Sequence, residues 1–190
     1  MISIKGDFDF LALPGRGNSG PQHWMSHWCR VFPNSSRVLQ QNWDRPDPAD
    51  WIARVDAAVA GAPRKVVLLA HSLSVATAVK WAAQADEANR HKVAAAFLVA
   101  ATNVEDPDPS FDLVRPFAPM PLAPLPFPAL VVASRTDPRV AFDKAEAFAR
   151  AWGADIADAG DLGHMGNEQA LGLWPEGLLL LGRLLAKAGL

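Results

Sequence analysis

A serine, an aspartate and a histidine, in that chain order, are the residues of this sequence best placed for covalent chemistry. Ser72 follows the apolar run Val66-Val67-Leu68-Leu69-Ala70-His71 and precedes Leu73-Ser74, so a small residue, Ala70 or Ser74, lies two positions away on each side. A strand that turns sharply into a helix holds the serine at its tip in a strained conformation, and only small side chains at −2 and +2 leave room for that turn. The usual form is Gly-x-Ser-x-Gly; here alanine and serine stand where the glycines would. A serine hydroxyl is a poor nucleophile until an imidazole takes its proton, and the imidazole needs a carboxylate to fix its tautomer. Asp137, in Val131-Val132-Ala133-Ser134-Arg135-Thr136-Asp137-Pro138, and His164, in Asp161-Leu162-Gly163-His164-Met165-Gly166-Asn167, supply those two groups. Together the three could carry out acyl transfer.

The elements that must position them alternate between short β-rich runs and longer helical patterns, the signature of βαβ units and a parallel sheet. Six strands are expected, at Phe8–Leu13, Arg37–Gln41, Lys65–Ala70, Val93–Ala100, Ala129–Ala133 and Asp155–Ala159. The clearest helix spans Pro48–Ala60: Asp47 is a good N-cap, Pro48 suits the first helical position, and Gly61 with Pro63 ends it. Further helices are expected at Gln22–Phe32, Leu73–Gln84, Ala141–Ala151 and Trp174–Ala188. Residues 103–128 hold half of the 16 prolines, which excludes regular helix or interior strand and marks a long ordered loop. In open α/β sheets ligands sit at the carboxyl ends of the strands, and Gly15, Ser72, Asp137 and His164 each follow a different expected strand.

Simpler readings compete for each residue. Ser72 could merely cap the helix starting at Leu73, Asp137 could cap the one near Val140, and His164 could be an idle loop histidine. Ser74 is a rival nucleophile by spacing but should already lie inside the helix, where its hydroxyl could cap the helix start and offset crowding. His71, next to the nucleophile, should point to the opposite side; His91 belongs at the amino end of a strand, and His23 and His27 in the first helix. Gly15-Arg16-Gly17-Asn18-Ser19-Gly20 is a literal G-x-G-x-x-G before a helix, so Gly15, Gly17 and Gly20 also raise a dinucleotide-binding reading. That fingerprint wants an acidic residue at the end of the second strand, and Asn42-Trp43-Asp44 offers one only beyond a tryptophan.

Composition bounds the class. The 190 residues suit one domain with a substantial core, and 18 basic against 20 acidic residues give a net charge of −2 with no basic face for nucleic acid. The single Cys29 cannot form an internal disulfide and the polar first residues do not resemble a secretory signal, so a cytoplasmic protein with no membrane association is expected. Neither a metal nor a cofactor is expected, since the histidines lack ligand spacing.

Leu13-Pro14-Gly15-Arg16-Gly17 with Gln22-His23-Trp24, Ala70-His71-Ser72-Leu73, Pro124-Leu125-Pro126-Phe127-Pro128, Asp137-Pro138, Gly163-His164 and Trp174-Pro175-Glu176-Gly177 resemble the small α/β-hydrolases of the retinoblastoma-binding protein nine family of serine hydrolases. The resemblance covers nearly the whole chain. It implies a compact single-domain α/β fold of about six mostly parallel strands in the order 2-1-3-4-5-6, with helices on both faces and no large cap. It also implies a Ser-Asp-His triad at Ser72, Asp137 and His164. Two oxyanion donors are then expected, the amides of Leu73 and Arg16. Gly15, Gly17, His23, Phe117 and Met120 are the expected lining of the substrate pocket. The implied reaction is cleavage of a small-molecule ester, thioester or amide; the alternatives are a hydrolase fold that has lost catalysis and the dinucleotide reading.

Overall fold

Runs with apolar residues at every position need cover on both sides, and the chain provides it. The computed structural model describes residues 8–190. Six strands, β1 (Phe8–Leu13), β2 (Ser35–Arg37), β3 (Lys65–His71), β4 (Val93–Val99), β5 (Ala129–Ala133) and β6 (Asp155–Asp158), form one sheet in the order β2-β1-β3-β4-β5-β6. Every pairing is parallel. Alternate side chains divide between two cores, as the period of a strand requires. Leu68 and Ala70 of β3 and Leu98 of β4 face a layer that includes Trp51, Trp81 and Phe148, from α2 (Pro48–Gly61), α3 (Leu73–Gln84) and α5 (Phe142–Trp152). Val67 and Leu69, with Phe97, face Trp24, Trp28 and Leu181, from α1 (Trp24–Val31) and α6 (Pro175–Lys187).

Local signals set the helix ends. Asp47 Oδ1 accepts from Asp50 N at 2.9 Å and Pro48 occupies the first turn of α2. Gly153, at φ +64°, closes α5 in the left-handed conformation. Gly177 leaves room for the Trp174 ring, which a Cβ there would meet at 2.3 Å.

Three expectations are corrected. The second strand is Ser35–Arg37 rather than Arg37–Gln41: it is an edge strand of three residues, and Val38 makes its last bond, to Ala12 O, before Leu39 turns out to solvent. The first helix starts at Trp24, because His23 is its N-cap and accepts from Met25 N. A further short helix, α4 (Glu87–Lys92), capped by Asp86, carries His91 on its exposed surface, so His91 is not in a strand. The proline-rich segment contains only two single 3-10 turns, Pro109–Phe111 and Arg115–Phe117.

Candidate active site

The chain turns sharply at Ser72 from β3 into α3. Ser72 sits at φ 58°, ψ −125°, a region that costs a non-glycine residue about 1–3 kcal/mol and persists only when its surroundings enforce it. Ser72 N donates to Val99 O at 3.0 Å, and Ser72 O accepts from Val75 N at 3.0 Å. Its side chain makes no cap bond to α3, which removes the simple capping role. Instead Ser72 Oγ lies 2.7 Å from His164 Nε2. His164 Nδ1 lies 2.9 and 3.0 Å from the two carboxylate oxygens of Asp137. A carboxylate can only accept, so Nδ1 carries a proton; in the neutral imidazole Nε2 is then bare, and Ser72 donates to it.

Each partner is itself held. Asp137 follows β5, its side chain is fully buried, and Oδ1 also accepts from Arg139 N at 2.8 Å. The His164 loop hangs on hydroxyls beyond β5: Ser134 Oγ accepts from Leu162 N at 2.9 Å, and Thr136 Oγ1 from Gly163 N at 3.1 Å. His164 O accepts from His71 Nε2 at 2.9 Å. His71 therefore does not point away from the site, as strand alternation had suggested. It packs beneath the His164 ring at 5.1 Å between centroids. Burial keeps the His71 imidazole well below its usual pKa, and so neutral, with neighbouring His23 and His164 pushing the same way. His23 lies 4.7 Å from His71, ring to ring. Burial, then Arg37, then His164 lower the His23 pKa to about 3.

The loop after β1 closes the other side. A Cβ on Gly15 would meet Ser72 Cβ at 2.7 Å and His71 O at 2.9 Å, so only glycine fits there. The adjoining amides of Arg16 and Leu73 make no hydrogen bond to the protein among the described residues, and both residues line a cleft of about 250 Å³ at Ser72. His71, His164, Thr102, Asn18, Asn167 and Gln169 give that cleft a mostly polar wall. His23 lines it, whereas Gly15 is not in the wall and lies against Ser72 and the His71 carbonyl instead. Phe117 and Met120 do not line it: both are buried in the core on the α2 side, with Phe117 edge-on to Trp51 at 5.9 Å. Gly17 is not in the wall either, its N–H donating to Trp43 O at 2.9 Å.

Three contacts around Ser72 and His164 escaped the sequence. Ser74 Oγ does not cap α3; it donates to Pro14 O at 2.6 Å, entirely buried, and ties α3 to the Gly15 loop. Thr102 Oγ1 lies 3.1 Å from Ser72 Oγ. His71 steadies His164 from below. Thr102 had a usable signal, since it too follows a strand on the carboxyl edge of the sheet. The glycines of the G-x-G-x-x-G run serve other ends, with Gly20 N bonded to Asn167 Oδ1 at 2.8 Å and the α1 terminus occupied by the His23 imidazole. Among the described residues no group of three His, Cys, Asp or Glu could hold a metal ion, and no helix is long and apolar enough to cross a membrane.

The sequence pattern of the serine hydrolase family matches residues 10–183, most of the chain. The chain belongs to the serine hydrolase family. The structure of this family member is similar to that of a YdeN-like hydrolase from Pectobacterium atrosepticum, with 28% identity over 96% of this chain and 92% of that one and a TM-score of 0.84. The ydeN gene product of B. subtilis shares the fold at 16% identity, 95% and 100% coverage and a TM-score of 0.75. Thermogutta terrifontis esterase 2 shares it at 16% identity, 98% and 85% coverage and a TM-score of 0.71. No curated protein shows significant similarity. In this hydrolase the six-stranded α/β sheet and the Ser72 turn thus occur together.

Proposed function

We propose that this hydrolase cleaves a small ester, thioester or amide through an acyl-enzyme, with Ser72 as nucleophile, His164 as general base and acid, and Asp137 as the group that fixes His164. The observation that carries the reading is the unbroken relay from Ser72 Oγ through His164, 2.7 Å to Nε2 and 2.9 Å onward from Nδ1 to Asp137, with Ser72 at a strained turn. Ser72 Oγ attacks the acyl carbon and its proton passes to His164 Nε2. The free amides of Leu73 and Arg16 receive the oxyanion, and removing one such donor typically costs about 10²–10³-fold. His164 then protonates the departing group, and a water repeats the sequence on the acyl-enzyme. The cleft of about 250 Å³ suits short acyl groups. The resemblance of the motifs around Gly15 and Trp174 supports reading the chain as a hydrolase of the retinoblastoma-binding protein nine type, and the lone Cys29 supports a cytoplasmic setting.

The test is labelling with a fluorophosphonate probe and mapping of the modified residue. Ser72 should be modified, and Ser72→Ala should abolish both labelling and, by about 10⁴-fold or more, turnover of p-nitrophenyl acetate. A folded wild-type protein that is neither labelled nor active would be a hydrolase fold without catalysis.

A further inference from the structure

The Ser72 hydroxyl has one proton, and His164 Nε2 receives it. The 3.1 Å contact between Thr102 and Ser72 Oγ is therefore a hydrogen bond that Thr102 donates. Thr102 is buried at 3% exposure, faces the cleft, and has no other side-chain partner among the described residues. The backbone that delivers it is strained. Ala100, fully buried just past β4, lies at φ +52°, where alanine is rarely found. Ala100 N is held by Val132 O and Asn103 N by Arg139 O, both at 2.9 Å, so the chain bends over the Ser72 turn instead of continuing the strand. Strain of this kind persists where the surrounding structure enforces it, and it concentrates at reacting groups.

We propose that Thr102 is a further catalytic residue, whose hydroxyl assists Ser72 as the leaving group when the acyl-enzyme breaks down. The inference rests on Ser72 being the nucleophile. In the acyl-enzyme Oγ is an ester oxygen, conjugated with the carbonyl and a poor acceptor. Water adds to the carbonyl carbon and gives its proton to His164 Nε2, which ends the conjugation. The intermediate collapses, the carbon–Oγ bond breaks with its electron pair passing to Oγ, His164 returns the proton to Oγ, and the acid leaves. Oγ gains electron density throughout, so the Thr102 hydrogen bond strengthens toward that transition state and accelerates the step. In acylation Oγ starts as a hydroxyl that already accepts this bond and ends as the poorer ester acceptor, so the bond gives no such help there.

Stopped-flow kinetics with p-nitrophenyl acetate separate the two steps. Thr102→Val and the smaller Thr102→Ala should each slow deacylation by about tenfold while the acylation burst stays within about twofold of wild type. kcat and KM then fall together and kcat/KM is nearly unchanged. Thr102→Ser, which keeps the hydroxyl, should retain near wild-type deacylation. A thermal melt accompanies each variant, and Thr102→Ala carries the comparison if Thr102→Val fails to fold. Deacylation unchanged in the hydroxyl-free variants, or acylation slowed as much as deacylation, overturns the proposal while leaving Ser72 as nucleophile. Absence of Ser72 labelling in the wild type removes the nucleophile reading and this inference with it.

Discussion

The Ser74 hydroxyl occupies the place where glycine is usual, and removing it tests whether that departure weakens or supports the site. Ser74 Oγ donates to Pro14 O at 2.6 Å; Ser74 is fully buried and Pro14 is buried. Ser74→Ala leaves that buried carbonyl without its donor. An unsatisfied buried acceptor costs about 1–3 kcal/mol. At about 2–4 °C per kcal/mol for a chain of this size, a loss near 2 kcal/mol lowers Tm by about 4–8 °C. Ser74→Gly should lose about 1 kcal/mol more through helix propensity in α3. Activity should follow, because Pro14 adjoins Gly15 and Arg16, and the proposed mechanism requires the Arg16 amide to stay aimed at the oxyanion. Partial loss of one oxyanion donor, itself worth about 10²–10³-fold, predicts about a tenfold fall in kcat for p-nitrophenyl acetate with little change in KM. Differential scanning fluorimetry and steady-state kinetics on the two variants measure both effects. If Ser74→Ala melts with the wild type, or Ser74→Gly raises kcat, the clamp between α3 and the Gly15 loop has no energetic role and the reasoning fails.

Gly15→Ala should keep the fold but lower kcat by about 10²-fold, because the new Cβ must push Ser72 or the loop out of position. Wild-type turnover in that variant would show that the loop relaxes freely. Stability should also depend on pH through the buried histidines. With its folded pKa near 3 against about 6.5 unfolded, His23 contributes fully above pH 6.5 and loses that contribution as pH falls toward 3; at pH 5 the loss is about 2 kcal/mol, and His71 adds in the same direction. Urea unfolding at pH 7 and pH 5 measures it, and equal free energies at the two values would refute the neutral, buried assignment.

The parts of this molecule legible in the sequence are those whose signal is local. β3, β4 and β5 read correctly because each is a continuous apolar run; Ser72 and Asp137 stood out because each follows such a run, and His164 because it follows the sixth strand at the same sheet edge. α4 was missed because none of its six residues is buried, so no periodicity marks it. The aromatics of the proline-rich segment misled for a related reason: an apolar side chain in a loop can line a pocket or plug the core, and Phe117 and Met120 plug the core. Ser74 shows the limit most clearly. Its partner Pro14 is 60 residues away, so spacing alone registers only a missing glycine and marks the turn as degraded. Once folded, the extra atoms of serine fill the space between α3 and the Gly15 loop and satisfy a buried carbonyl there. Glycine at +2 would spare room but leave that carbonyl unpaired. In this chain the departure from the pattern and the anchoring of the Gly15 loop are therefore one contact, and Ser74 cannot be judged apart from Pro14.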